Sequence, residues 1–385
     1  MRRNALVLWA IGILGIAVIG GCRSQEGDSS RAANPPAASR QPPSEGSDLI
    51  IPPGLLDHAG LKTVWQQKLP LKKGERFAAV TLLGDRLYLR SDRNYLWSLD
   101  RTKGDVVFSR SIAPQGIPVL GLAAYEDTLI SVVGNQLVEF DVNSGTERRV
   151  SDLELSIIAP PVRNSQFFYI SAADRRLHAL RARDLVQIFE VAIENESLMT
   201  TVVADESLVV IGTHAGDLVA IMPDAPKRLW RFKATEAVAG PVIPDGNSFY
   251  FASTDTHVYR VDMMDATTAN MVWRFQTEAV LDRPPRVTKD FVYQYAIGRG
   301  LTAIAKQTGQ AVWSLPGGVD LLAEAGNKAY VITKSRTLAV MDTATGKELF
   351  SVNFTPVTDH AANTTDARIY LTDETGRIAC LEPTP

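Results

Sequence analysis

Apolar residues fall in runs of four to seven, alternating with polar ones at a period near two and broken by Gly, Asp, Asn and Pro. That is the pattern of short antiparallel strands joined by tight turns. The runs are themselves periodic. With Tyr88 as origin, equivalent positions fall at Leu129, Tyr169, Val210, Tyr250, Tyr293, Tyr330 and Tyr370, at spacings of 41, 40, 41, 40, 43, 37 and 40 residues. Eight residues beyond each origin stands an aliphatic residue: Leu96, Leu137, Leu177, Leu218, Val258, Leu301, Leu338 and Ile378. Three further come Leu99, Phe140, Leu180, Ile221, Val261, Ile304, Met341 and Leu381. Two apolar columns kept in phase through eight copies mark a repeat architecture.

The fifth copy shows the unit best, with strands around Val242-Ile243, Ser248 to Ala252, His257 to Val261 and Met271 to Phe275. Four strands per copy predict a propeller blade, each face covered by a neighbour, which explains why Phe249, Tyr250 and Phe251 follow one another directly. The turn before the fourth strand also repeats, as Asp100 to Gly104, Asp141 to Gly145 and Asp342 to Gly346. There Asp bonds the backbone ahead of it and Gly takes a left-handed conformation. Twenty residues past the origin an aromatic follows at Phe108, Phe189, Trp230, Trp313 and Phe350, and at Trp273 after a three-residue insertion. Arg149 breaks the column, so the second blade is expected to pack its outer strand differently. The eighth copy ends before its fourth strand, whereas Lys62 to Leu69 forms an unpaired strand carrying Trp65. Donating that strand closes the ring and leaves no open sheet edge. The expected fold is all-β: an eight-bladed β-propeller of four-stranded antiparallel blades over residues 61–385, closed by an N-terminal strand.

The first residues read as an address. Arg2 and Arg3 precede an uncharged apolar run from Ala5 to Gly21 that ends in small residues before Cys22, as in a secretory signal over residues 1–21. An uncleaved anchor is the alternative. Arg23 to Asp48 is rich in Ser, Pro, Ala, Gly, Gln and Asn, a composition unable to offset its ordering entropy by burial. Residues 22–60 are therefore assigned to the cysteine and a tether, of which the stretch from 23 to 50 would span roughly 30 Å. Removing residues 1–21 takes the net charge from −3 to −5. So acidic and mixed a surface argues against nucleic acid as partner. The pairs Lys72-Lys73, Arg148-Arg149 and Arg175-Arg176 read as solvated turn residues.

Catalytic signals are sparse. Cys380 occupies a slot filled by Ala179, Ala220 and Ala303 in other copies and is expected to be a buried thiol. With Cys22 and Cys380 the only cysteines, no cysteine metal site or haem attachment forms. The five histidines, His58, His178, His214, His257 and His360, fall in separate segments, and His178 reads as a packed strand residue. Gly298-Arg299-Gly300 suits a hairpin better than a dinucleotide loop. No cofactor or metal is expected.

Two stretches carry family resemblances. Ile19-Gly20-Gly21-Cys22 resembles the lipobox of bacterial lipoproteins, which implies acylation of Cys22; Arg23, where inner-membrane retention uses Asp, implies an outer-membrane location facing the periplasm. Ala303 to Trp313 resembles the tryptophan-docking repeat of pyrroloquinoline-quinone-type propellers, with Ala305 in place of Asp, and Asp342, Thr345, Gly346 and Phe350 match it in the seventh blade. Some members of that superfamily are quinone- and calcium-dependent dehydrogenases. This chain lacks their adjacent cysteines, and Asp255, Asp282, Asp320 and Asp359, read as loop residues, carry no calcium assignment. The lipobox, tether and eight blades together resemble the lipid-anchored propellers of the outer-membrane β-barrel assembly machinery. That resemblance implies a non-catalytic protein-binding scaffold at the envelope. A quinone- or metal-dependent oxidoreductase and a saccharide or cell-wall binder are the alternatives. The expected partner face comprises the loops from one blade's outer strand to the next blade's inner strand, with Glu236, Glu278 and Asp282 suited to a basic partner.

Overall fold

A computed structural model of the chain describes residues 49–193 and 197–384. The signal-like segment, Cys22 and most of the assigned tether lie outside the described residues. Among the described residues there are eight four-stranded antiparallel sheets. Blade 1 comprises Phe77–Leu83, Arg86–Ser91, Tyr95–Asp100 and Val106–Ser111, and blades 2 to 7 repeat that order along the chain. Blade 8 takes Val357–Ala361, Ile369–Asp373 and Arg377–Pro383 from the C-terminal end and its outer strand, Leu61–Lys68, from the N-terminal end. The register pairs Leu61 with Pro383 and Lys68 with Arg377. The expected fold and its closing strand are both present.

Eight apolar clusters hold the ring, one for each blade-to-blade interface. The tyrosine column supplies their centres: Tyr88, Tyr169, Tyr250, Tyr293, Tyr330 and Tyr370 are all buried. Several of these hydroxyls reach across to the next blade. Tyr169 donates to the Pro223 carbonyl at 2.7 Å, Tyr293 to Glu324 at 2.8 Å and Tyr370 to the Arg101 carbonyl at 3.2 Å. Burial, and for Tyr293 also the facing Glu324 carboxylate, raises these phenols above their ordinary pKa, so they remain donors.

The outer aromatics seat on the next blade's turn. A Cβ added at Gly104 would stand 2.5 Å from Trp65, at Gly145 2.4 Å from Phe108, at Gly309 2.6 Å from Trp273 and at Gly346 2.2 Å from Trp313. Each of these glycines has φ between 68° and 80°, so the turn needs glycine for its conformation and again for the space. The indole N–H groups of Trp65, Trp273 and Trp313 donate to the carbonyls of Arg101, Lys306 and Thr343, all thirteen residues past their blade's origin. In blade 5 that position is Met263, drawn into a hairpin whose strands, His257–Asp265 and Thr268–Gln276, are nine residues each. Trp230 of blade 4, which would use it, accordingly has no hydrogen-bond partner among the described residues.

Three expectations change. Arg149 fills the aromatic's place: its guanidinium donates to the carbonyls of Ala182 at 2.7 Å and Arg183 at 3.1 Å, and lies over Phe168. Ala182 lies thirteen residues past the blade 3 origin at Tyr169, so Arg149 uses the acceptor that tryptophan uses elsewhere and is no solvated turn residue. Phe350, by contrast, is 47 % exposed. Blade 8 closes with strands from opposite chain ends, so no hairpin turn exists there to receive it. The third change concerns residues 49–60, assigned to the tether. They pack against the ring: the short helix Pro53–His58 lies against blade 7's outer strand, and Ile50, Ile51 and Leu56 are buried in the cluster between blades 7 and 8.

Alternating strand direction sorts the connections onto two faces. One, the crossover face, carries the loops from each outer strand to the next inner strand and the turns joining second to third strands. The other carries the remaining hairpins, including the Asp-to-Gly turns.

Candidate partner interface

Glu236 lies in the crossover from blade 4 to blade 5, and Glu278 and Asp282 lie in the crossover from blade 5 to blade 6. All three are exposed on the crossover face. Their loops are fixed by the ring beneath. The Glu236 carbonyl accepts Ser253 Oγ at 3.2 Å, its carboxylate accepts Thr254 Oγ1 at 3.1 Å, and Val238 of the same loop is buried. Glu278 takes a left-handed φ of 57° and pairs with Arg299 at 3.4 Å. Asp282 pairs with Arg283 at 3.8 Å, and Arg283 stacks over Tyr295 at 4.6 Å. Glu278 and Asp282 therefore stand beside arginines and Glu236 beside Thr254, and no hydrogen bond or ion pair joins the three to one another among the described residues. The sector presents carboxylates and guanidinium groups together, suited to a partner of mixed charge.

The other carboxylates weighed as ligands are engaged or misplaced for that role. Asp320 and Asp359 are not loop residues; they lie in the inner strands Gly318–Ala325 and Val357–Ala361, which line the ring's axis. Inner strands facing an axial channel lack a clean apolar alternation, so the period of two does not mark these segments as strands. Asp320 accepts two hydrogen bonds from Arg286 at 2.9 and 2.8 Å and contacts His360 Nε2 at 3.1 Å, joining the inner strands of blades 6, 7 and 8. Burial opposes its ionisation, but the bonds from Arg286 and His360 outweigh it and hold the carboxyl far below the usual range. Asp255 is likewise depressed: burial raises it, and bonds from the Tyr259 hydroxyl at 2.6 Å and the His257 N–H at 3.0 Å win. Among the described residues there is no group of three or more His, Cys, Asp or Glu side chains placed to hold a metal ion.

His178 is buried, with Nε2 2.9 Å from Asp174 and Nδ1 3.0 Å from Gln187. Cys380 is fully buried at the blade 8–blade 1 interface, and burial pushes its thiol up to about 12. A thiol so placed stays protonated and inert. No helix among the described residues is long and apolar enough to cross a membrane.

Comparison with known proteins agrees with this geometry. No curated protein sequence matches the chain. Among solved structures it is similar to BamB from Moraxella catarrhalis, with a TM-score of 0.64 at 16% identity over 84% of this chain and 97% of that one. It is also similar to the computationally designed Ika8 protein, with a TM-score of 0.60 at 14% identity over 82% and 98%. A third likeness is to the Cps50 (Swd1) β-propeller domain of Myceliophteria thermophila, with a TM-score of 0.57 at 12% identity over 82% and 99%. At such identities the likeness is one of fold. A family model matches at residues 190–316 and 298–384, together just over half of the chain, and the chain belongs to that family, described as outer membrane protein assembly factor BamB.

Proposed function

We propose that the chain is a non-catalytic, lipid-anchored scaffold of outer-membrane protein assembly, held at the periplasmic side of the outer membrane by acylated Cys22. The observation that carries this reading is the family match, over a ring whose blade interfaces are spent on packing. Its binding surface is the crossover face, with Glu236, Glu278 and Asp282 contacting a protein partner at the envelope. Rigid blades below and exposed charged loops above suit a docking platform, since loops on a fixed scaffold tolerate variation without loss of fold.

Replacing Glu236, Glu278 and Asp282 together by Ser is expected to reduce recovery of the envelope partner in crosslinked co-purification. It should leave the melting temperature within a few degrees, because exposed pairs such as Glu278–Arg299 contribute only about 0–1 kcal/mol each. Undiminished recovery would remove these residues from the interface. Stoichiometric binding of quinone and calcium by the purified protein, with dye-linked alcohol oxidation, would replace the scaffold reading by an enzymatic one.

A further inference from the structure

The chain enters the ring on the crossover face. The Leu49 carbonyl accepts Arg377 Nη1 at 3.2 Å and the Ile50 N–H donates to Gln66 Oε1 at 2.8 Å. Arg377 and its strand partner Lys68 stand at the crossover end of blade 8, whereas the Gly60 carbonyl, bonded to Thr384 N, marks the opposite end. Residues 49–60 thus run down the outside of the ring from one face to the other before the closing strand begins.

Around that entry point the surface is cationic. Lys68, Lys72 and Lys73 belong to the crossover from blade 8 to blade 1, and Lys334 and Arg336 to the blade 7 turn on the same face. All five are exposed, and among the described residues none of them is in an ion pair. The loop carrying Lys72 and Lys73 is held in place by Arg93, whose Nη2 donates to the Lys73 carbonyl at 2.8 Å, and by Glu75, which accepts Lys72 N at 2.9 Å. Two of the sector's acids are already satisfied, Asp92 by Arg76 at 3.5 Å and Asp373 by Arg377 at 2.6 Å, which leaves Glu374 exposed. On the same face, blades 4 to 6 present Glu236, Glu278 and Asp282. The crossover face is therefore polarised, basic where the N-terminal segment joins and mixed opposite.

We infer that the basic sector over blades 7, 8 and 1 rests against the anionic phospholipid headgroups of the membrane in which the chain is anchored. The inference rests on the reading of Cys22 as the lipid attachment. The lipid anchor holds the ring near one leaflet, where exposed Lys and Arg are drawn to anionic headgroups within about a Debye length of the surface. Placing the basic sector beside the chain's point of entry lets both act on one leaflet. The occupant is a lipid surface because the five cations are dispersed over three blades, so they suit a plane of charge better than a single anionic group. With this sector down, the mixed-charge part of the face lies toward the membrane surface too, beside partners embedded there.

The test uses the purified mature protein reconstituted in vesicles of phosphatidylcholine, with and without phosphatidylglycerol. Pulse acylation of lysine amines with a water-soluble reagent is read by mass spectrometry. Labelling of Lys72, Lys73 and Lys334 is expected to fall several-fold in phosphatidylglycerol vesicles relative to Lys103 and Lys347 on the opposite face. The protection should disappear in high salt, as screening requires. In a Lys72→Glu, Lys73→Glu variant, Lys68 and Lys334 should regain labelling. Equal labelling of the two lysine sets in both vesicle types overturns the inference, as does protection that ignores phosphatidylglycerol. Intact mass of the same sample reports acylation of Cys22 separately. An unmodified Cys22 defeats the anchor reading alone, and the labelling ratio in excess vesicles still decides whether the basic sector meets a bilayer.

Discussion

Trp313 and Phe350 occupy the same column of the repeat and have opposite surroundings. Trp313 is 7 % exposed, lies over Gly346 and donates to the Thr343 carbonyl at 3.0 Å, while Phe350 is 47 % exposed. Trp313→Ala should therefore cost about 3–5 kcal/mol, and Phe350→Ala less than about 1 kcal/mol. Chemical denaturation of the two variants checks this, and similar midpoints would mean that the docking turn contributes nothing. Asp320 makes a different test. Asp320→Ala leaves Arg286 without its counter-ion, at a cost of about 2–3 kcal/mol, short of the 3–5 of a fully buried pair because the Arg286 side chain keeps 32% exposure. Its folded carboxyl is depressed, so its contribution is complete above the unfolded Asp value near 3.9 and is lost as pH falls toward the folded one. The difference in melting temperature between wild type and variant should hold at neutral pH and narrow only below about pH 4. A gap that has already closed well above pH 4 would mean that Asp320 is not held as the anion.

Between residue and ring, the short helix Pro53–His58 shows what an element can do without regular pairing. Its blade has no hairpin to receive Phe350, and residues 49–60 cover the neighbouring part of the seam, burying Ile50, Ile51 and Leu56 beside Val352 and Phe354. Leu56→Ala is expected to lower stability by about 2–4 kcal/mol, and a neutral outcome in thermal unfolding would return the segment to the tether. Sequence periodicity missed it because a few apolar residues among Pro, Gly and polar neighbours show no period of two or 3.6. The strands were legible for the converse reason: both faces of each blade are packed, so the columns at Tyr88, Leu96 and Leu99 recur wherever a neighbour must be met. Arg149 was legible as an exception and illegible in its remedy, since the acceptors it uses are backbone carbonyls of the next blade. The axial group of Arg286, Asp320 and His360 could not be read from spacing either, because it joins three blades across a ring.

At the scale of the whole molecule, every blade interface is filled by an apolar cluster, while the crossover face changes in charge from sector to sector. The period places the crossovers that carry Glu236, Glu278 and Asp282 but not what their side chains meet, so Arg299 and Arg283 could not be assigned to Glu278 and Asp282 in advance. The seam in blade 8 also orders events in time. Leu61–Lys68 is among the first parts of the ring to be synthesised and Arg377–Pro383 among the last, so the strand that completes the circle waits unpaired until more than 300 residues have followed it. Loop closure itself rises only by about 0.6 kcal/mol for each doubling of length, so the delay is kinetic. Until Arg377–Pro383 has been made, Trp65 has no strand partner and the ring two raw edges, and the nascent chain depends for that interval on whatever shields an exposed strand from pairing with a stranger.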